Sequence, residues 1–104
     1  MAAAPQALDR IRNWMNQQFK PAKTQVQEEG SSKVYRYQVE QGSLSPTLWI
    51  PQAVFDQYPA EDIVAALDQH HVAARLRSDP IAQLMCVAPE GRIVVVRHHN
   101  WRRP

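Results

Sequence analysis

The sequence predicts an α+β domain, winged-helix-like in the order of its elements, and three observations carry this. Leu8, Ile11 and Met15 recur at helical spacing near the start. Tyr35, Tyr37 and Val39 alternate with Arg36, Gln38 and Glu40, the pattern of a half-buried strand. Two β-rich runs, 81–87 and 92–98, flank Ala88-Pro89-Glu90-Gly91, which reads as a hairpin loop. The 104 residues suffice for one hydrophobic core and one domain. With 44% hydrophobic and 21% charged residues, the chain has ordinary globular usage, which excludes disorder along its whole length.

The elements follow in order. Trp14 and Phe19 lie beside the Leu8–Ile11–Met15 stripe, while Asp9, Arg10, Arg12, Asn13 and Gln17 fall mostly on the other faces of a helix over 7–18. Pro21 stops it, with the break felt at Lys20. Residues 21–32 hold only Ala22 and Val26 as apolar side chains and end in Gly30-Ser31-Ser32, which reads as a mobile connector. Lys33 to Gln41 is a strand, and Gln41-Gly42-Ser43 begins a turn extended to Pro46. Thr47 to Ile50 is a second strand, paired with the first. Pro51 suits the first turn of a short helix with Ala53, Val54 and Phe55 on its apolar side, closed by Tyr58-Pro59. A further helix opens at Pro59-Ala60-Glu61-Asp62, where acids suit the positive end of the helix dipole. Its inner stripe is Ile63, Val64 and Leu67, and it ends near His70. Val72, Ala74 and Leu76 then alternate with Ala73, Arg75 and Arg77, which predicts a strand before the turn Ser78-Asp79-Pro80.

Two helices joined tightly and followed by a two-stranded wing match a winged helix-turn-helix. A four- or five-stranded antiparallel sheet with helices on one face leaves the same trace and stays open as the alternative. Either way residues 1–104 form a single small domain, with a tail at about 99–104 that carries no periodic signal.

The runs Tyr35-Arg36-Tyr37-Gln38-Val39-Glu40 and Leu48-Trp49-Ile50-Pro51-Gln52-Ala53-Val54-Phe55 resemble a known family. It is the C-terminal winged-helix-like domain of relaxase-type proteins from conjugative and integrative elements. That family runs from a strand into an apolar–Pro–x–x–apolar–Phe helix start, then a helix and a hairpin, for which 63–70 and 81–98 stand here. The resemblance covers roughly residues 33–98. The loop from Gly42 to Pro46 is longer than the family's, and the tail has no match. The resemblance implies an accessory DNA-processing or DNA-binding role. It does not imply a nicking site, since the tyrosine-plus-histidine metal motif has no counterpart in this sequence.

Chemistry-bearing motifs are scarce. His70-His71 and His98-His99 are adjacent pairs, and neighbours on a helix or strand point apart, so each pair aims at most one ring at a shared ion. No zinc spacing accompanies them, and no metal or cofactor is expected. Cys86 lies within the apolar run Leu84-Met85-Cys86-Val87 and reads as a small buried hydrophobe. Glycines stand only at 30, 42 and 91, and none builds a phosphate loop. The chain is read as non-catalytic. As the one cysteine, Cys86 forms no intramolecular disulfide. No apolar run approaches the roughly 20 residues of a membrane span. Met1-Ala2-Ala3-Ala4-Pro5 has neither the basic nor the long apolar region of a signal peptide. A cytoplasmic location is expected.

Charge is the remaining signal. The net charge is only +2, but residues 1–70 hold six basic and eight acidic side chains, whereas residues 71–104 hold six basic and two acidic. The basic groups Arg75, Arg77, Arg92, Arg97, Arg102 and Arg103, with Trp101 among them, are the candidate nucleic-acid contacts, placed on the wing strands and the tail. The preceding helix is a poor reader of bases, because Glu61, Asp62 and Asp68 repel phosphate. The alternative function is protein–protein interaction through an aromatic surface of Tyr35, Tyr37, Trp49 and Trp101, without a membrane role in either case. The oligomeric state and the partner's identity stay open at this level.

Overall fold

The computed structural model describes residues 5–20, 23–29, 33–40, 46–78, 83–87 and 92–97. In chain order the elements are α1 (Pro5–Gln18), β1 (Thr24–Glu29), β2 (Val34–Val39), β3 (Thr47–Pro51), α2 (Gln52–Gln57), α3 (Ala60–Gln69), α4 (Val72–Ser78), β4 (Gln83–Val87) and β5 (Val94–Arg97). The five strands form one sheet in the order β1-β2-β3-β4-β5. All neighbours are antiparallel except β3 and β4, which run parallel from Thr47↔Gln83 to Trp49↔Met85. None of the helices is long and apolar enough to cross a membrane, among the described residues.

The alternation in the strands decides where the core sits. Tyr37, Leu48 and Leu84 are register partners, and Tyr35, Tyr37, Val39, Leu48, Ile50, Leu84, Cys86 and Val95 all point to one face. All four helices pack there, through Ile11, Trp14, Met15, Val54, Ile63, Leu67, Val72 and Leu76. Tyr37 is fully buried, and its hydroxyl donates to the Leu8 carbonyl 3.1 Å away, which pins α1 across the sheet. The Trp14 indole N–H donates to Asp68 Oδ1 at 3.1 Å and ties α1 to α3.

On the opposite face, Gln27, Arg36, Trp49, Met85 and Val96 are register partners across all five strands. Trp49 is only 1% exposed. Its indole N–H donates to Gln83 Oε1 at 3.1 Å, and the Arg36 guanidinium lies 5.8 Å from its ring centroid while donating to Gln27 Oε1.

The architecture is thus the layered sheet with helices on one face, modified by one parallel pair. A winged helix would leave the last hairpin standing apart as a wing. Here β4 and β5 pair antiparallel as expected, from Leu84↔Arg97 to Val87↔Val94, but β4 also bonds to β3 and the hairpin completes the sheet. The hairpin loop at 88–91, the turn residues 41–45 and the tail at 99–104 lie outside the described residues.

Three local expectations are corrected. The connector expected over 21–32 contains β1 at 24–29. An edge strand needs few apolar side chains, and Val26 opposite Tyr37 supplies the inward contact while Gln25 and Gln27 stay exposed. Its start is held by the Thr24 N–H donating to Asn16 Oδ1 at 2.8 Å. The strand expected at 72–77 is the helix α4. His70 caps α3, and His71 adopts φ 54°, the left-handed region, which ends one helix axis and starts another. Val72, Ala73 and Leu76 are therefore the buried stripe of a new helix rather than misplaced residues of the old one. Finally, Pro51 closes β3 and stands before α2, at the N-cap rather than in the first turn.

Ile11 is fully buried, so Ile11→Ala removes packed core atoms and should destabilise the domain by about 2–4 kcal/mol in a denaturant titration. At His71 the left-handed backbone disfavours branching at Cβ. His71→Val should cost about 1–2 kcal/mol by the same measurement, whereas His71→Gly should cost little.

Candidate functional site

Arg75 and Arg77 fall in the last turn of α4 rather than on a strand, where cations face the negative end of the helix dipole. Both are exposed, and neither forms an ion pair among the described residues. Arg77 Nη1 donates at 2.8 Å to the carbonyl of Gln18, the last residue of α1, and its guanidinium lies 5.7 Å from the Phe19 ring centroid. The last carbonyls of a helix lack partners within it, so this bond satisfies α1 while tying the ends of α1 and α4 together. Lys20 and Lys23, both exposed, follow Gln18 within a few residues. Arg75, Arg77 and Lys20 thus belong to the joined ends of two helices, while Lys23 stands before β1. Among the described residues no hydrogen bond or ion pair holds the Arg75 side chain as the Gln18 carbonyl holds Arg77. A cleft of about 170 Å³ beside them is lined by Trp14, Asp68, His71 and Arg77.

Arg92 is exposed and lies on a different flank of α3. It borders a groove of about 420 Å³ between that helix and the start of β5, whose lining shares no residue with the first cleft. One wall is the α3 stripe Asp62, Ala65, Gln69 with the capping His70, and the other is Arg92, Ile93 and Val94, with Tyr58 also lining it. The structure therefore separates Arg92 from Arg75 and Arg77. Arg97 is the last residue of β5, and Trp101, Arg102 and Arg103 lie outside the described residues.

The aromatic surface expected from the sequence is not there for three of its four members. Tyr35, Tyr37 and Trp49 are 2%, 0% and 1% exposed, because alternation sends the tyrosines into the helical core and the Arg36 side chain lies over the tryptophan. Trp101 is outside the described residues. The groove beside α3 was missed from the sequence. Its residues read separately in the sequence, Asp62 as a dipole partner and His70 as a helix end. The signal that pointed to it was Ala65 and Ala66, small side chains beside polar Asp62 and Gln69 on one helical stripe.

Among the described residues no three His, Cys, Asp or Glu side chains cluster as metal ligands. Cys86 is fully buried, and desolvation pushes its thiol up to about 12, leaving it protonated and unreactive at neutral pH. Burial likewise raises the Tyr37 hydroxyl far above the usual tyrosine value, with the neighbouring Tyr35 adding to the effect. No family model, curated protein or solved structure matches this chain.

The buried thiol has a measurable consequence. An acid whose folded pKa is raised keeps its proton in the folded state while the unfolded chain loses it, so stability falls as pH rises. Between an unfolded value of 9.0 and a folded value of about 12, Cys86 should remove up to about 1.4 kcal/mol per pH unit. Tyr37 adds a second slope above its ordinary value of 10.0. Denaturant titrations of Cys86→Ala across this range should lose the Cys86 slope from pH 9 to about 12 and keep only the Tyr37 slope above pH 10.

Proposed function

We propose that this chain is a non-catalytic binding domain that contacts nucleic acid through its phosphates. It would act as an accessory module of a DNA-processing or mobile-element system, the setting that its resemblance to relaxase-type C-terminal domains implies. The observation that carries this is the exposed Arg75 on α4, which forms no ion pair among the described residues, beside an Arg77 already anchored to the end of α1, with Lys20 following that end. Guanidinium and ammonium groups at a helix junction suit phosphate oxygens and carry no base readout. The exposed acids Glu61 and Asp62 at the start of α3 keep that helix away from a polyanion, so binding runs through the α1–α4 end. Arg92 lies on the other flank of α3 and is not part of this surface. In this reading Arg97, Arg102 and Arg103 add further phosphate contacts, and Trp101 supplies a stacking platform for an unpaired base.

The test is a fluorescence-anisotropy titration with duplexes of unrelated sequence and with single strands, across a range of salt. Binding should be of similar strength on unrelated duplexes and should weaken linearly on a log–log plot against salt. Arg75→Ala should lower the slope by about one unit, and the double change Arg102→Ala with Arg103→Ala by about two. Trp101→Ala should weaken single-strand binding more than duplex binding. Absence of binding to either form at low salt, with the fold intact by circular dichroism, overturns the proposal.

A further inference from the structure

We propose a second binding site, for an extended acidic-ended peptide that adds to β5 as a sixth strand and places its alternate side chains in the groove against α3. This goes beyond the nucleic-acid reading and uses the other flank of α3.

The sheet ends at β5, and among the described residues nothing pairs with its outer edge. Sheet edges that stay bare are commonly blunted by charge, proline or a bulge. The opposite edge, β1, fits that rule, with the sequence Thr-Gln-Val-Gln-Glu-Glu. β5 is short and ends in an arginine, but its three preceding residues are Val-Val-Val, and Val96 is 44% exposed on the face away from the helices. Both its sheet faces and its edge therefore favour a further strand.

The groove lies where such a strand would send its side chains. Successive residues of a strand point to opposite faces, so every second side chain of an added strand turns toward the helical layer. There the α3 wall is reduced to Ala65 and Ala66 beside Ile93, leaving about 420 Å³, enough for one or two aliphatic side chains. Tyr58, Gln69 and His70 supply polar groups along the groove, and Arg92 is not ion-paired with Asp62, the one carboxylate of the lining among the described residues. Main-chain bonds to an edge with a side-chain pocket beside it are the elements of peptide recognition by strand addition.

Charge selects the occupant. Residues 92–97 contain two arginines and no acid. An antiparallel pair of two β5 strands brings the Arg92 end of one copy to the Arg97 end of the other, so a second copy meets like charge. A segment with alternating aliphatic residues and a carboxylate at each end meets an arginine of this run in sequence at both, with the Arg92 end kept on the β5 side of the groove, across from Asp62.

The probe is a blocked synthetic heptapeptide, Glu-Val-Thr-Val-Thr-Val-Glu, titrated into the whole chain by amide NMR with hydrogen exchange. Shifts and new protection should appear at β5 amides and along Asp62–Gln69. A Lys-ended version of the peptide should bind at least about tenfold more weakly. Ala65→Trp, which fills the groove from an exposed position, should also weaken binding about tenfold or more. Should that variant misfold, Arg92→Glu provides the independent check, since it should reverse the preference between the two peptides. Unchanged β5 amides, equal binding of both peptides to the native chain, or unchanged affinity in folded Ala65→Trp each overturn the proposal. Concentration-dependent dimerisation with protected β5 amides overturns it as well, by placing a second copy on the edge.

Discussion

Thr47, Leu48 and Trp49 lie beside Gln83, Leu84 and Met85 and run in the same direction. Two parallel strands cannot be closed by a tight turn, since the chain must return to the starting end before the second strand begins. That requirement accounts for α2, α3 and α4, which occupy the return path and cover the face on which Leu48, Ile50 and Leu84 point. It also explains the sharp change of direction at His71. One straight helix continued through that point would carry Val72 and Leu76 off the sheet, whereas the left-handed residue lets α4 present them to it. The remaining strands are added by local antiparallel pairing, β1 and β2 on one side and β5 on the other.

The two sheet faces are stabilised by different physics. The helical face is an apolar core closed by side chains from every element except β1, whose Val26 packs at its margin. The opposite face is organised around a single large ring. Trp49 stands on the central strand, and its neighbours in register are Arg36, whose guanidinium lies over it, and Met85. With its N–H bonded to Gln83, the indole leaves no polar atom unsatisfied. A sheet face with few apolar side chains can thus still bury the largest residue the chain contains.

What was legible in the sequence follows from how far each signal reaches along the chain. Tyr35, Tyr37 and Val39 announce β2 because alternation over one strand is local. Pro51 and Tyr58-Pro59 mark both ends of α2 for the same reason, and Leu84 to Val96 carry the last hairpin. β1 was lost because an edge strand with one inward valine has the composition of a loop. α4 was misread because the period was judged against the axis of α3, and the reset at His71 is a backbone conformation that no residue type dictates. The cationic residues were identifiable singly, but their grouping was not. Arg77 meets Gln18 across most of the fold, and the groove that Arg92 borders belongs to α3 and β5 jointly. The buried state of Trp49 depended on Arg36, a partner on another strand.

The β1–β2–β3 meander is made of neighbours in sequence, whereas the partner of β3 on its other side comes only after three helices. Contacts between near neighbours close quickly and distant ones slowly. During synthesis the meander therefore emerges with the inner edge of β3 bare, and that edge carries Leu48, Trp49 and Ile50, among the most apolar stretches of the chain. A chain that pairs its near neighbours first holds, until β4 docks, its future centre as its most adhesive border. The time until residues 83–87 leave the ribosome and dock sets how long that border stays open to other chains.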